Sequence, residues 1–236
     1  IEFANLTAQL AVGTTPNGRS LSYTGGAGND SVRIGGQKSV FAGGVEFVGG
    51  DGNNEVRFPG AGATLIIGTL PGGQSVRYSG GAGDDTFEAN SAVVRMAGGV
   101  EMAAGGGEAR MRLDGNGEVR LGRFGTGQSI VFTGTGNADV ELDVGGIVRL
   151  AGSIEMVGGS GSDDLDLDGL VRVGANDAGV SIGFLGNAGS DEIEFVDSVV
   201  LAGSVFFDGG DGNDNTLVRT DNVGFANFET VTTVIR

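Results

Sequence analysis

Residues 25–30 read Gly-Gly-Ala-Gly-Asn-Asp, and residues 80–85 read Gly-Gly-Ala-Gly-Asp-Asp. Weaker copies of this hexapeptide begin at residues 133 and 186, so the four starts are 55, 53 and 53 residues apart. A second glycine-rich turn lies about 25 residues into each unit, beginning at residues 49, 104, 158 and 209. A fixed period of this length indicates a repeat architecture in which each half unit is one winding of the chain.

The repeat organises the whole chain of 236 residues. Residues 1–24 match the second half of a unit, and double units follow at residues 25–79, 80–132, 133–185 and 186–236. We therefore expect a single domain, residues 1–236, built from about nine stacked coils.

A short alternating segment follows each glycine turn, with polar residues such as Arg57, Glu88 and Asp166 between apolar ones. The predicted inward pairs are Val32/Ile34, Val56/Phe58, Phe87/Ala89, Met111/Leu113, Val140/Leu142, Leu165/Leu167 and Ile193/Phe195. Period-two alternation over four or five residues is typical of a strand with one buried face. Half units this short bury their apolar faces by stacking on copies of themselves. The sequence therefore predicts an all-β fold, a parallel β-helix or β-solenoid.

Small residues recur in the same phase, and we expect them inside a narrow coil; they are Ala42, Ala97, Ala151 and Ala202. A β-sandwich or β-barrel also suits many short strands, and a flexible linker suits a glycine-rich composition. Neither alternative predicts a fixed unit of 53 to 55 residues.

Composition excludes several function classes. The chain has 49 glycines, no Cys, no His and a formal net charge of −16. It therefore has no disulfide, no imidazole base and no ordinary zinc site. No apolar run approaches the ~18 residues of a membrane-spanning helix, and an acidic chain without a basic stripe is a poor partner for nucleic acid. Hard cations are a reasonable partner for such a chain.

The glycine-rich turns resemble the nonapeptide of hemolysin-type calcium-binding repeats, the RTX family, whose consensus is G-G-x-G-x-D-x-U-x with U a large apolar residue. Residues 25–33, 80–88 and 158–166 match at every fixed position. The other windows lack one or more fixed residues, most visibly at Asn54, Ala109, Ala138, Asn187 and Thr216.

In that family the turn supplies backbone carbonyls, the aspartate supplies a carboxylate, and stacked turns hold Ca²⁺ between them. The resemblance implies bound Ca²⁺ here, with ligands at Asp30, Asp85, Asp163, Asp191 and Asp214. Family members place two nonapeptides in tandem in each coil, whereas this chain has one per longer coil, so metal is not necessarily required for folding. The alternative is that the turns bind no metal, because Asp and Asn favour turns by hydrogen-bonding to nearby backbone.

Charge is unevenly distributed along the chain. Residues 1–133 carry 12 acidic and 10 basic residues, whereas residues 134–236 carry 18 acidic and 4 basic ones. We expect Asp163, Asp191 and Asp214 to form an uninterrupted ladder whose repulsion a bound cation relieves. Calcium binding around Asn54 and Ala109 is expected to be weak or absent.

These features favour a structural or adhesive segment of a larger secreted or cell-surface protein. Its expected partners are calcium ions, neighbouring solenoid segments or an extracellular ligand, with no nucleic acid and no membrane insertion. We expect no enzymatic activity. The alternative is a polysaccharide lyase or hydrolase of the parallel β-helix type, which would use two exposed carboxylate columns, Asp139/Asp164/Glu192 and Glu141/Asp166/Glu194. The scarcity of bases beside these acids and the absence of Trp argue against that alternative.

Overall fold

The computed structural model describes residues 2–3, 9–58, 60, 62–218, 224–225 and 231–234. The chain winds into a parallel β-solenoid with no helix among the described residues. All strand pairs in its two large sheets are parallel, and each strand pairs with its equivalents in the coils above and below, except at the two ends, where it pairs on one side only. The predicted fold class is confirmed.

Each coil contributes strand segments to three rows, which we call the first, second and third rows. The first row, which follows the glycine turns, contains β1 (Glu2–Phe3), β4 (Ser31–Ile34), β7 (Asn54–Phe58), β10 (Asp85–Ala89) and β23 (Asn215–Val218). The second row contains β2 (Gln9–Val12), β5 (Lys38–Phe41), β8 (Thr64–Ile67), β11 (Val93–Met96) and β24 (Gly224–Phe225). Four long strands run through both rows: β13 (Glu108–Leu121), β15 (Asp139–Leu150), β17 (Asp164–Val173) and β20 (Glu192–Leu201). Together they form one 14-stranded sheet.

The third row is a separate 9-stranded sheet. Its strands are β3 (Arg19–Thr24), β6 (Gly44–Gly50), β9 (Val76–Gly80), β12 (Val100–Ala103), β14 (Gln128–Thr133), β16 (Ser153–Val157), β18 (Val180–Leu185), β21 (Ser204–Asp208) and β25 (Val231–Val234). A two-stranded sheet pairs β19 (Ala188–Gly189) with β22 (Asp211–Gly212) at the glycine turns.

The described residues complete about seven turns, so the predicted count of nine coils is slightly too high.

The core lies between the rows. All the predicted inward pairs are buried, with exposed fractions of 4% or less, which confirms the alternation pattern. Phe58 lies at the centre of an aromatic stack, with its ring 6.3 Å from Phe41 and Phe47 and 6.0 Å from Phe87. Edge-to-face packing of this kind strengthens the contact between successive coils.

The expectation that small alanines fill the interior is wrong, because the structure leaves them exposed; they are Ala42, Ala97, Ala151 and Ala202. They lie at the bend between the second and third rows. The bend between the first and second rows of β15 and β17 uses Gly146 and Gly169, whose φ angles of 83° and 105° suit glycine.

Candidate metal centre at the glycine-rich turns

Each intact turn folds its aspartate back against the first glycine of the motif. A Cβ at Gly158 would overlap Oδ2 of Asp163, and a Cβ at Gly186 would overlap Oδ2 of Asp191. The same overlap occurs in the turns that begin at residues 25, 80 and 209. The motif requires its first glycine because the carboxylate takes the space of a Cβ.

Asp163, Asp191 and Asp214 stack on three successive coils. Oδ1 of Asp191 accepts a hydrogen bond from the backbone N–H of Asp163 (2.9 Å), and Oδ1 of Asp214 accepts one from the N–H of Asp191 (3.1 Å). Oδ1 of Asp163 accepts one from the N–H of Val140 (2.8 Å). The three aspartates are 1%, 0% and 5% exposed. They form a buried ladder that ties each turn to the preceding coil.

The second carboxylate oxygen of these three aspartates, Oδ2, has no hydrogen-bond partner in the described part of the chain, and the same is true of Asp85. A buried carboxylate oxygen without a partner is costly, because it has lost its hydration. Oδ2 of Asp30 has such a partner, since it accepts a hydrogen bond from the N–H of Gly26 at 3.0 Å. In the Asp163 turn the equivalent N–H, that of Gly159, also lowers the pKa of the carboxyl, but burial outweighs it.

Asn54 replaces the aspartate in the second turn, and its contacts show which groups surround the position of Oδ2. Its Oδ1 accepts from the N–H of Asp30 (3.2 Å), in the same manner as the aspartate ladder. Its Nδ2 lies against Gly49, the first glycine of that turn, where the aspartates place Oδ2. This Nδ2 donates to the carbonyls of Gly50 (3.0 Å) and Gly52 (2.8 Å). Because an aspartate Oδ2 occupies the position of this Nδ2, we infer that turn carbonyls also surround Oδ2. A site surrounded by oxygen atoms favours a proton or a cation.

Two tyrosines that the sequence analysis overlooked support the N-terminal turns. The hydroxyl of Tyr23 donates to Oδ1 of Asp30 (2.7 Å), and that of Tyr78 donates to Oδ1 of Asp85 (2.9 Å). Each tyrosine precedes its aspartate by seven residues, a spacing that could have identified both. The equivalent positions before the C-terminal aspartates hold Met156, Phe184 and Phe207. None of these three side chains has a hydroxyl to offer.

The pKa values separate Asp30 from the buried aspartates of three other turns. Burial raises the pKa of Asp163 to about 7, and the neighbouring charge of Asp191 acts in the same direction. Burial also raises the pKa of Asp191 and of Asp85. In contrast, the hydrogen bond from Tyr23 lowers the pKa of Asp30. Asp163 and Asp191 therefore resist carrying charge in the absence of a counterion.

The structure corrects the alignment of the turn that begins at residue 133. We predicted Ala138 at the aspartate position, but Ala109 pairs with Val140 instead. The N–H of Val140 also donates to Asp163, as an aspartate at this position would. The register also makes Gly134, not Thr133, the equivalent of the first glycine, so this turn is one residue longer than the others.

The same shift changes the exposed carboxylate columns. The observed columns are Glu141/Asp164/Glu192 and Asp143/Asp166/Glu194. Asp139 pairs with Glu108 and lies outside the first column, so the predicted columns are wrong by two residues on β15. We call the six residues of the observed columns the acidic face.

Burial, together with the charges of the surrounding carboxylates, raises the pKa of Asp164 to about 6 and that of Asp166 to about 7. On β13, Arg110 contacts Glu141 and Arg112 lies 3.4 Å from Asp143, so the acidic face ends in ion pairs on that side. A cleft of about 310 Å³ opens over this region; its lining residues are Glu108, Asp139, Glu141, Ser162, Asp163, Asp164, Ser190 and Glu192.

Metal-ligating side chains do not converge in the described ranges, where no group of three or more Asp or Glu residues could hold an ion. A cation at the turns would therefore take most of its ligands from backbone carbonyls and water. The chain matches no protein-family model, no curated protein and no solved structure. The likeness to calcium-binding repeats thus rests on the turn motif alone. The part of the chain that the structure describes contains no helix able to span a membrane.

Proposed function

We propose that the chain is a structural or adhesive β-solenoid segment of an extracellular protein, and that its C-terminal glycine turns bind Ca²⁺. The observation that carries this proposal is the unpartnered Oδ2 of Asp163, Asp191 and Asp214 on three successive coils. Asn54 fills the same position with a donor, so a carboxylate there needs something positive in the place of that donor.

Electrostatics favours a divalent ion over protonation at neutral pH. Carboxylates about 5 Å apart repel by roughly 1 kcal/mol in bulk water and several-fold more at an effective dielectric near 20. A bound cation converts this repulsion into attraction. The excess negative charge of residues 134–236 adds to the attraction for the ion.

The donor set fits Ca²⁺ better than Mg²⁺ or a transition metal. Carboxylate and carbonyl oxygens are the ligands of hard cations, and Ca²⁺ accepts irregular arrangements whereas Mg²⁺ demands near-ideal octahedral geometry. In this proposal Asp163, Asp191 and Asp214 supply carboxylate oxygens, with Asp85 a lesser site. Asp30 has both oxygens partnered and contributes little.

The extracellular location is part of the same proposal. Weak calcium sites with dissociation constants of about 10⁻⁴ to 10⁻³ M are useful where Ca²⁺ is abundant, as it is outside cells. Bound ions would then stiffen the C-terminal coils. A stiff rod serves as a spacer or as a platform for adhesion.

Calcium titration of the intact chain, followed by calorimetry and thermal unfolding, tests the proposal. We expect a rise in the unfolding midpoint with Ca²⁺ and a smaller rise with Mg²⁺. The double variant Asp163→Asn/Asp191→Asn should lose the response, whereas the control Asp30→Asn should keep it. An unchanged midpoint of the wild-type chain between EDTA and about 5 mM Ca²⁺, well above the expected dissociation constants, would overturn it.

A further inference from the structure

Four arginines lie one above another on the outward side of the second row. The register pairs Arg95 with Arg120, Arg120 with Arg149, and Arg149 with Arg172. These strands are β11, β13, β15 and β17, so the column spans four consecutive coils. We call these four residues the arginine ladder. It holds four of the 14 basic residues of a chain whose net charge is −16.

The arginine ladder is poorly compensated. Glu118 lies 2.6 Å from Arg120 and 3.5 Å from Arg149. Among the described residues Arg95 and Arg172 form no ion pair. Arg120 and Arg149 are 51% and 54% exposed, so their guanidinium groups are accessible from solvent. Strands about 4.8 Å apart hold these like charges close together.

Arginines of the first row have more carboxylates beside them than the arginine ladder, which in the described part of the chain has Glu118 alone. Arg33 pairs with Glu55 at 3.0 Å, and Arg57 lies 3.3 Å from Glu88 and also contacts Glu55. A chain with this excess of carboxylates can therefore pair its arginines. The second row concentrates positive charge instead, which is the arrangement that an anionic ligand would neutralise.

Two exposed apolar side chains lie beside the arginine ladder. Ile147 and Leu170 precede Arg149 and Arg172 by two residues on the same strands, so they lie on the same side of the sheet. They are 43% and 56% exposed. On the other border the chain bends at small residues, Ala97, Gly122, Ala151 and Gly174. The result is an open strip that is cationic along its centre, with one edge that is apolar at Ile147 and Leu170 and acidic at Glu118, the residue that pairs with Ile147.

We propose that the arginine ladder binds a linear acidic polysaccharide, a chain of pyranose rings bearing carboxylate or sulfate groups. Its anionic groups would take bidentate hydrogen bonds from successive guanidinium groups. The C–H faces of its rings would pack on Ile147 and Leu170. This assignment deepens the adhesive part of the proposed function, and it does not use the calcium turns.

A polysaccharide fits this strip better than the two other anionic partners. The phosphate backbone of a nucleic acid offers no apolar surface beside its charges to pack on Ile147 and Leu170. A second copy of the chain would present the acidic face, whose carboxylates are half-buried and have no apolar border matching Ile147 and Leu170. Both alternatives are outcomes of the test below.

Binding of the intact chain to immobilised polygalacturonate and heparin, with neutral dextran as the blank, tests this proposal. We expect binding at about 20 mM salt that weakens steeply as salt rises. The variant Arg120→Gln/Arg149→Gln should weaken binding at least about tenfold, because two charge-assisted donors are lost. The matched control Arg33→Gln/Arg57→Gln removes the same charge from two ion-paired arginines that lie outside the ladder, and it should stay within about twofold of wild type. Unfolding midpoints of both variants verify that they fold.

Each measurement is made in EDTA and again in Ca²⁺, which separates this proposal from the calcium proposal. Polysaccharide binding in EDTA supports the arginine ladder even if the calcium titration fails. Absence of binding to both polyanions overturns the ladder, as does an equal loss in the two double variants. Tighter binding to a single-stranded oligonucleotide overturns it in favour of nucleic acid. Self-association of the wild type that Arg120→Gln/Arg149→Gln abolishes overturns it in favour of a second copy.

Discussion

The backbone N–H of Asp163 donates to Oδ1 of Asp191 across 2.9 Å, from one coil to the next, while Oδ2 of Asp191 has no partner among the described residues. One half of this carboxylate is therefore a structural acceptor. The other half is buried without a hydrogen-bond donor in the described part of the chain, and in the proposed function it is the half that binds a cation. The two roles make different predictions for substitution, pH and metal.

Asparagine at position 191 should stabilise the metal-free protein. In Asp191→Asn the amide keeps Oδ1 for the N–H of Asp163 and gives the turn carbonyls a donor, as Asn54 does in its own turn. We expect a gain of about 1 kcal/mol in EDTA, or roughly 2 to 4 °C in the unfolding midpoint. Thermal melts in EDTA measure it.

The matched control, Asp30→Asn, should have the opposite sign. It replaces an oxygen that already accepts from the N–H of Gly26, at a cost of about 1 kcal/mol. Destabilisation of Asp191→Asn by the same amount would show that Oδ2 of Asp191 needs no positive charge.

Introducing the missing carboxylate should create a new calcium response in the N-terminal turns. In the metal-free state Asn54→Asp loses the Nδ2 hydrogen bonds to the turn carbonyls and to Oδ1 of Asp85 and adds a charge between Asp30 and Asp85. We expect a loss of about 2 to 3 kcal/mol in EDTA, most of which Ca²⁺ restores.

Urea titrations of wild type and Asn54→Asp, with and without Ca²⁺, provide the measurement. The isosteric change Asn54→Leu controls for the lost amide, since it should be destabilised equally in both conditions. If Ca²⁺ fails to stabilise Asn54→Asp more than wild type, the assignment of the turn position as a cation site is incorrect.

The metal-free protein should become less stable as pH rises through neutrality. Burial raises the pKa of Asp163 and Asp166 to about 7 and that of Asp164 to about 6, above their values in the unfolded chain near 4. The folded state therefore binds more protons than the unfolded state between about pH 4 and 7, and its stability declines across that window.

We expect the unfolding midpoint in EDTA to be higher at pH 5 than at pH 8, on the order of 5 °C. Ca²⁺ should reduce this difference, because it stabilises the ionised form. A midpoint that rises from pH 5 to pH 8 in EDTA would contradict the burial of these carboxylates.

The first glycine of an intact turn should not tolerate a side chain. Gly158→Ala places a methyl group on Oδ2 of Asp163, so we expect a loss of about 2 to 3 kcal/mol. The control Gly26→Ala meets no atom within 4 Å and should be nearly neutral. Denaturant unfolding measures both.

A double-mutant cycle with Asp163→Ala identifies the cause. Because Asp163→Ala removes the atom that the new methyl group strikes, the double variant should lose less stability than the two single variants combined. Additive losses would mean that Gly158 is required for another reason.

The sequence was sufficient to predict the solenoid, because period-two alternation recurs in phase from Val32 to Phe195 and those residues are buried as expected. It was insufficient to place Ala138, because the turn starts at Gly134 instead of Thr133 and is one residue longer, and the resulting shift of two residues leaves the alternation of the next strand unchanged. Only the strand register reveals that Val140 occupies the position. The same ambiguity misplaced Asp139 in the carboxylate columns.

The candidate site was predicted in outline. The motif spacing predicted that Asp163, Asp191 and Asp214 stack. It did not predict that Oδ1 accepts a hydrogen bond while Oδ2 has no partner among the described residues, because that difference depends on atomic distances. The arginine ladder was hidden by unequal spacing, since its members are separated by 25, 29 and 23 residues. Alanines such as Ala97 were misplaced because a bend and an interior both favour small side chains.

At the aspartate position of the turns, the hydrogen bonds from backbone amides to side chains all run in the same direction along the rod. The amides of Asp30, Val140, Asp163 and Asp191 each donate to a side chain in the following coil. The amide at this position of one coil has its side-chain acceptor only after the following coil has folded. A chain that emerges from the ribosome with its N-terminus first would therefore carry, in its most recently formed turn, one buried amide without its side-chain acceptor until the next coil has formed.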